Sequence, residues 1–92
     1  MRSARPSACE ATLEIDSGPA SAAIAEALEP DNRQAPPGVR VSCRAESYRV
    51  VCRVEVDCGD SRGILRLRNT IDDLLSSARA ALESLRAAGG EA

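Results

Sequence analysis

Few residues in this sequence of 92 have side chains suited to catalysis. It contains no histidine to act as a base near neutral pH, and no lysine to form a Schiff base or hold a phosphate. The adjacent carboxylates of Asp72 and Asp73 remain, but neighbouring residues of a helix point about 100° apart, so these two do not share a proton. The sequence therefore predicts a protein that is not an enzyme and has no catalytic residues.

The four cysteines lack the spacing of a metal site. Cys9, Cys43, Cys52 and Cys58 include no C-x-x-C pair, and no histidine is present to complete a tetrahedral zinc site, so we expect no metal and no cofactor. The first three fall at inward positions of predicted strands, where a reduced cysteine packs as a small apolar side chain. We expect free thiols, with disulfides that staple a small extracellular fold as the alternative.

Chain length and charge limit the class of protein. A chain of this length makes one domain and buries only about 60–65% of the surface that its unfolded form exposes, so we expect modest stability unless it assembles. The formal net charge of −2 argues against a surface wholly devoted to nucleic acid. No apolar run is long enough to cross a membrane and no secretory signal follows the basic start, which predicts a cytoplasmic location.

Hydrophobic periodicity predicts one α+β domain over residues 8–87, with flexible tails at 1–7 and 88–92. Pro30 disfavours helical geometry in the residue before it, so we expect the first helix to end near Leu28 and a turn to follow. The predicted elements are a strand over 8–16, a helix from Pro19 to Leu28, strands over 39–45 and 48–56, and a helix over 62–87. This β-α-β-β-α order predicts a three-stranded antiparallel sheet with both helices packed on one face.

The second and third strands are expected to form a hairpin with Glu46-Ser47 as its tight turn. In that register Cys43 faces Val50 and Tyr48 points inward, so the apolar residues of the two strands, with the exception of Val51, fall on one side of the sheet.

Four arginines share the outer face of the predicted sheet and suggest a platform for RNA as an alternative function. These are Arg40, Arg44, Arg49 and Arg53. Glu10, Glu14 and Asp16 fall on the same face of the first strand, so we expect these carboxylates to pair with the arginines across the sheet. Sheets that bind RNA usually also offer stacking aromatic rings, and Tyr48 is the one aromatic residue of the chain.

The last helix separates into three faces at about 100° per residue. The face expected to pack on the sheet holds Leu67, Ile71, Leu74, Leu75, Ala78, Leu82 and Leu85. The face expected to lie in water carries opposite charges at helical-neighbour spacing, on Arg68, Asp72, Arg79, Glu83 and Arg86. The third face is made mostly of small side chains and comprises Arg66, Thr70, Asp73, Ser77, Ala81 and Ser84.

Small exposed side chains let a foreign helix approach closely, because its ridges enter shallow grooves. The first helix is also rich in Ala and Ser, and it offers Ala23 and Ala27 in addition to the third face of the last helix. Two such surfaces on one small domain predict binding to a protein partner.

Three short segments also resemble the small dimerising subunit of the KEOPS complex. They are Leu28-Glu29-Pro30-Asp31-Asn32, Pro37-Gly38-Val39, and the helix opening L-R-N-T-I-D-D-L-L over residues 67–75. The turn motif of Leu28, Pro30, Asp31 and Asn32 and the helix opening occur in the family's order and spacing. The similarity extends from about Ala11 to Leu85, which is nearly the whole chain.

The resemblance implies a non-catalytic scaffold subunit of the complex that installs threonylcarbamoyl-adenosine in tRNA. Members of that family are expected to form homodimers by continuing the sheet and packing the second helices together. Both helices are expected to dock on the catalytic threonylcarbamoyltransferase subunit and to support its activity. The implied contacts with tRNA would lie near Arg62, Arg66 and Arg68. A stand-alone RNA-binding module of similar topology is the alternative.

Overall fold

The computed structural model describes residues 8–59 and 62–89. The elements are β1 (Ala8–Asp16), a short 3-10 turn (Gly18–Ala20), α1 (Ser21–Arg33), β2 (Val39–Glu46), β3 (Arg49–Asp57) and α2 (Arg62–Gly89). The three strands form an antiparallel sheet in the order β1-β3-β2. The predicted α+β class and the β-α-β-β-α order are therefore confirmed.

Both helices pack on one face of the sheet, where the inward side chains of the central strand form the middle of the core. Alternate residues of β3 point to this face, and Val50, Cys52, Val54 and Val56 are fully enclosed there. The helices cover them with Ile24, Leu28, Leu74 and Ala78. The structure thus has a single two-layer core, and α2, at about 1.5 Å per residue, is longer than the strands it crosses.

The hairpin turn lies one residue later than the sequence analysis predicted. Glu46 pairs with Arg49, so the two-residue loop is Ser47-Tyr48 and the register differs by two residues from the predicted one. A shift of two keeps every side chain on its predicted face, but it changes the partners. Tyr48 therefore lies in the loop with 67% of its surface exposed, and the prediction that it points inward is wrong.

The new register also overturns the prediction of free thiols. Cys43 lies directly opposite Cys52 in the β2–β3 ladder, and the two form a disulfide with their Cα atoms 4.0 Å apart. A second disulfide joins Cys9 to Cys58, whose Cα atoms are 5.7 Å apart. Inward cysteines can pack as small apolar groups, but in this fold they also meet in pairs.

The first helix continues past Pro30 and ends at Arg33, so the predicted end near Leu28 and the predicted turn of Pro30, Asp31 and Asn32 are both wrong. Proline removes one helical hydrogen bond, which would have been accepted by the carbonyl of Glu26. Glu26 and Pro30 are both exposed, so water can bind the freed carbonyl. The turn motif is therefore the last part of a helix.

The chain turns sharply between α1 and β2. The amide of Val39 donates to the carbonyl of Pro36 at 3.1 Å, and Gly38 has a positive φ of 83°. Proline at the second position and glycine at the third are typical of a type II turn, in which only glycine adopts the required φ without strain. This turn directs β2 back under α1.

The predicted tail at residues 1–7 and most of the one at 88–92 lie outside the described residues, and Ala88 and Gly89 belong to α2.

Candidate functional site

A groove of about 530 Å³ runs between α1 and α2. We call it the interhelix groove. Its residues are Leu28, Asp31, Asn32, Gln34, Ala35, Pro36, Val39, Val41, Arg66, Asn69, Thr70, Asp73, Leu74, Ser76 and Ser77. The buried side chains of Leu28, Val39 and Leu74 lie beneath it, and mostly small or polar residues form its rim.

Four of the six residues of the predicted small-residue face line the interhelix groove. They are Arg66, Thr70, Asp73 and Ser77. The other two lie elsewhere, since Ala81 packs against the core and Ser84 is exposed farther along α2. The docking surface is therefore shorter than predicted, and Ala81 belongs to the fold.

The α1 wall contributes the residues of the misassigned turn motif. Leu28, Asp31 and Asn32 line the groove, although their backbone is helical. Ala23 and Ala27 are exposed and precede Asp31 at intervals of four residues, so they extend the same side of α1. The structure thus brings the α1 and α2 candidates to the two sides of one surface.

Hydrogen bonds to the hairpin loop hold the beginning of α1, and with it one wall of the groove. The amides of Ser17 and Gly18 donate to the carbonyl of Tyr48 at 3.0 and 2.9 Å. The hydroxyl of Ser21 donates to the carbonyl of Ser47 at 2.8 Å. The buried hydroxyl of Ser17, in contrast, has no hydrogen-bond partner among the described residues.

The opposite side of α2 carries exposed apolar side chains. Ile64, Ile71, Leu75 and Leu82 fall within a narrow arc at about 100° per residue, and we call them the apolar flank. Ile64 is 62% exposed and Leu75 is 43% exposed, while the other two are half-buried. Helical periodicity predicted core positions for Ile71, Leu75 and Leu82. Leu82 does pack against the core, whereas Leu75 is exposed and the buried line of α2 runs through Leu74 and Ala78.

The apolar flank belongs to a heptad pattern that the sequence analysis missed. Apolar residues and one arginine recur at alternating spacings of four and three residues, as in a coiled-coil seam: Ile64, Arg68, Ile71, Leu75, Ala78, Leu82 and Leu85. A search for seven-residue repeats, in addition to the helical periodicity of 100° per residue, reveals this heptad pattern. Such a seam is typical of a helix that pairs with another helix.

The charged face of α2 carries opposite charges at helical-neighbour spacing, but they form no ion pairs among the described residues. Arg68, Asp72, Arg79, Glu83 and Arg86 take part in none of the salt bridges found in the described part of the chain. Because two of these residues, Asp72 and Arg79, flank the seam, their charges are available to a second helix.

The arginines of the outer sheet face all contact carboxylates. Arg49 reaches Glu14 at 2.7 Å, and Arg53 binds both carboxylate oxygens of Glu10 at 2.8 and 2.9 Å, as predicted. The other two pairs are Arg40 with Glu55 and Arg44 with Glu46. Asp16, which was also expected to pair, is in none of these bridges. Neutralised in this way, the face offers little free positive charge to a phosphate backbone.

The pair with Glu10 affects the titration of Arg53. The side-chain hydrogen bond and then the Coulomb attraction of Glu10 raise the pKa of the guanidinium. A cation with a raised pKa stabilises the fold below its unfolded-state pKa, and this contribution is lost only as the pH rises through the folded-state value. Arg53 therefore adds no pH dependence to the stability of the fold near neutrality.

The three arginines with an implied tRNA role do not form one patch. Arg62 and Arg66 lie one helical turn apart on the groove side of α2, whereas Arg68 lies on the seam. The Nη1 atom of Arg66 donates to the carbonyl of Asp57 at 3.3 Å.

Two further features bear on function. Within residues 8–59 and 62–89, no group of three or more histidine, cysteine, aspartate or glutamate side chains is arranged to hold a metal ion. None of the described helices is long and apolar enough to cross a membrane.

Comparison with known proteins adds no identification, because no protein-family model and no curated protein matches the chain.

Proposed function

We propose that this protein is a dimeric, non-catalytic scaffold subunit of a KEOPS-type tRNA-modification complex in the cytoplasm. It binds the catalytic threonylcarbamoyltransferase subunit through the interhelix groove and supports its activity. The observation that carries the proposal is the division of α2 into two unlike flanks, one lining a groove of small side chains and one exposing large apolar ones.

The interhelix groove suits a partner helix. Thr70 and Ser77 keep the α2 wall low, and the exposed Ala27 keeps the adjoining surface of α1 low, so a helix backbone can approach the two helices closely. The exposed carboxylates of Asp31 and Asp73 at the rim favour a partner with basic residues beside its apolar stripe.

The apolar flank suits a second copy of the chain. In an antiparallel pair of α2 helices with a twofold axis near Leu75, Asp72 lies beside Arg79 of the second copy, and symmetry repeats the contact. The same arrangement places Ile71 against Leu82 of the second copy. The seam is therefore complementary to itself in both apolar contact and charge.

One edge of the sheet, formed by β1, lies on the same side as the apolar flank. The sheet order leaves β1 at one edge and β2, beneath α1, at the other, and the groove flank of α2 faces α1. The apolar flank therefore faces the β1 side, where strand pairing would satisfy the unpaired backbone groups of that edge. A single twofold axis can relate both the paired β1 strands and the packed α2 helices of two copies.

A stand-alone RNA-binding module is the weaker candidate. Its support was the arginine-bearing sheet face, but each of those four arginines contacts a carboxylate. Tyr48 is exposed, yet it lies in the hairpin loop and not on the sheet where bases would stack. If the chain contacts tRNA within the complex, Arg62 and Arg66 are better candidates for that contact than the sheet arginines.

The groove is tested by co-purification of the chain with the threonylcarbamoyltransferase subunit. Asp73→Arg together with Ser77→Arg fills the groove with two long cations, and we expect binding to fall at least about 100-fold because docked side chains lose their space. Circular dichroism should stay unchanged, since Asp73 is exposed and Ser77 is half-buried.

The control is Leu75→Arg, which places one arginine on the apolar flank and should leave binding of the transferase subunit intact. Full binding by the groove variant would contradict docking in the groove. If the unaltered chain shifted tRNA without any partner, with an affinity that falls steeply as salt rises, the RNA-binding module would replace the scaffold.

A further inference from the structure

The edge of the sheet that β2 forms has unpaired backbone groups. Cys43 lies opposite Cys52 with the two Cα atoms 4.0 Å apart, and such close pairs in an antiparallel ladder exchange no backbone hydrogen bonds. The amide and carbonyl of Cys43 therefore point away from β3, and the alternation along the strand gives Val41 and Ala45 the same orientation. None of these groups is hydrogen-bonded to the backbone of another described residue. Such an edge is a template for a further strand.

A groove of about 330 Å³ lies between this edge and α1. We call it the edge groove, and its residues are Ala25, Glu26, Glu29, Asn32, Arg33, Val41, Ser42 and Cys43. α1 begins beside the hairpin loop and ends close to the beginning of β2, so it runs antiparallel to β2 along the edge. An extended segment paired with β2 would therefore place one row of its side chains in the edge groove, under α1.

The edge groove is apolar at its floor and narrow side chains line its centre. Val41 and Cys43 of β2 are half-buried and pack against the core from the floor. Ala25 of α1, also half-buried, lies across from them. Because Ala25 and Cys43 are both small, they leave space for a long side chain that enters opposite Cys43.

The α1 rim of the edge groove carries hydrogen-bond acceptors without a protein donor. Glu26 is exposed and takes part in none of the salt bridges of the described residues, whereas Glu29 binds Arg33 at 3.2 Å. The backbone carbonyl of Glu26 also lacks its helical donor, because Pro30 has no amide hydrogen. A carboxylate and a free carbonyl on one residue favour a cationic side chain with several donors, such as arginine.

We propose that β2 binds an extended segment of another protein, which adds a fourth, antiparallel strand to the sheet and places apolar side chains and one basic side chain in the edge groove. Backbone hydrogen bonds to Val41, Cys43 and Ala45 supply affinity, and Glu26 selects a basic residue opposite Cys43. This surface lies on the side of α1 away from α2, so it is distinct from both flanks of α2.

The probe is the peptide acetyl-Thr-Val-Thr-Arg-Thr-Val-Thr-amide, whose valines and arginine fall on one side of an extended strand. Amide hydrogen exchange of the unaltered chain is followed by NMR with the peptide at up to about 1 mM, where weak specific binding is detected. The amides of Val41, Cys43 and Ala45 should then exchange at least about tenfold more slowly. Those of Thr12 and Glu14, at the β1 edge, should not change.

Two N-methylated peptides separate strand pairing from general contact. Methylation of the arginine amide removes a donor that faces β2, whereas methylation of the threonine amide that follows it removes a donor that faces away. We expect the first change to lower the affinity at least about tenfold and the second to lower it less than about threefold.

The role of Glu26 is tested by an exchange of charges. Glu26→Arg should lower the affinity for the arginine peptide at least about tenfold, and a peptide with glutamate in place of arginine should recover the binding. Glu83→Arg is the matched control, since it makes the same change at an exposed residue of α2, outside the edge groove, and should bind the arginine peptide normally. Glu26 is exposed as well, so both variants should fold.

Unchanged exchange at the β2 edge, equal affinities of the two methylated peptides, or full binding of the arginine peptide by Glu26→Arg would each overturn the proposal. Slow exchange of the same amides in the free chain that increases with protein concentration would assign the edge to a second copy and overturn it too. These measurements use only the chain and the peptides, so a negative result leaves the proposed scaffold function untouched.

Discussion

The two flanks of α2 border the same buried line of Leu74 and Ala78, but they carry different kinds of side chain. The groove flank, with Thr70 and Ser77, faces α1 across a groove. The apolar flank, with Ile64 and Leu75, is exposed in the described structure of the single chain. A small domain has little apolar surface to spare, and we propose that a second copy of the chain covers these large exposed side chains.

The two flanks of α2 are suited to bind a partner helix in different ways. Small side chains lower the walls of the groove and let a partner backbone come near, which favours a shape-specific contact. Large apolar side chains in a heptad seam supply buried area and favour self-association. One helix can therefore organise two different contacts without either occupying the other's surface.

The largest effect is expected from Leu75→Arg, which should disrupt the proposed self-association through the apolar flank. It would place a charge near the twofold axis of the proposed dimer, where the new charges of the two copies would lie close together, and we expect self-association to weaken at least about 100-fold. Sedimentation equilibrium measures the change. The groove variant with Asp73→Arg and Ser77→Arg is the control and should remain dimeric; dimerisation of both variants would exclude the apolar flank as the interface.

A smaller effect should come from the charges beside the seam. Asp72→Arg or Arg79→Asp alone turns an attraction between the copies into a repulsion, and we expect each to weaken the dimer about tenfold. The double exchange restores opposite charges across the axis and should recover most of the affinity, which a double-mutant cycle measures. Additive losses in the double variant would show that the helices do not pair in this register.

The smallest effects concern the attachment of α1, which forms the other wall of the groove. Ser21→Ala removes the hydrogen bond to the carbonyl of Ser47 and should lower the free energy of unfolding by about 1 kcal/mol. Ser17→Ala removes a buried hydroxyl that has no partner in the described structure, so it should be neutral or slightly stabilising. Urea unfolding measures both, and equal losses would contradict the assignment of the Ser21 hydrogen bond.

The sequence predicts the layers of this fold well because alternation and helical periodicity report directly on which side chains face the core. It predicts β3 and its inward residues, and it places α2 within two residues of its observed ends. Element boundaries depend on weaker local preferences. Pro30 shows this, because the cost of proline in a helix is small where the freed carbonyl of Glu26 is in water.

The details of the site were harder to predict because they depend on register and rotation. The observed hairpin turn lies one residue later than predicted, so Cys43 is opposite Cys52 and not Val50. The two cysteines therefore form a disulfide where free thiols were predicted. The helix α2 is rotated modestly about its axis relative to the predicted orientation, so that Leu75 lies outside the core and Ala81 contacts it. Neither the position of the turn nor the rotation is fixed by periodicity alone, since both result from packing of the whole chain.

We propose that α2 makes two separate contacts, one with the transferase subunit and one with a second copy of the chain. Only the second can be measured with the purified chain by itself. Sedimentation equilibrium of the unaltered chain under non-reducing conditions tests it most directly. We expect a native mass of twice the chain mass of 9.7 kDa at micromolar concentration. A mass of one chain up to a concentration of about 100 μM, where even a weak specific dimer would form, would contradict the account.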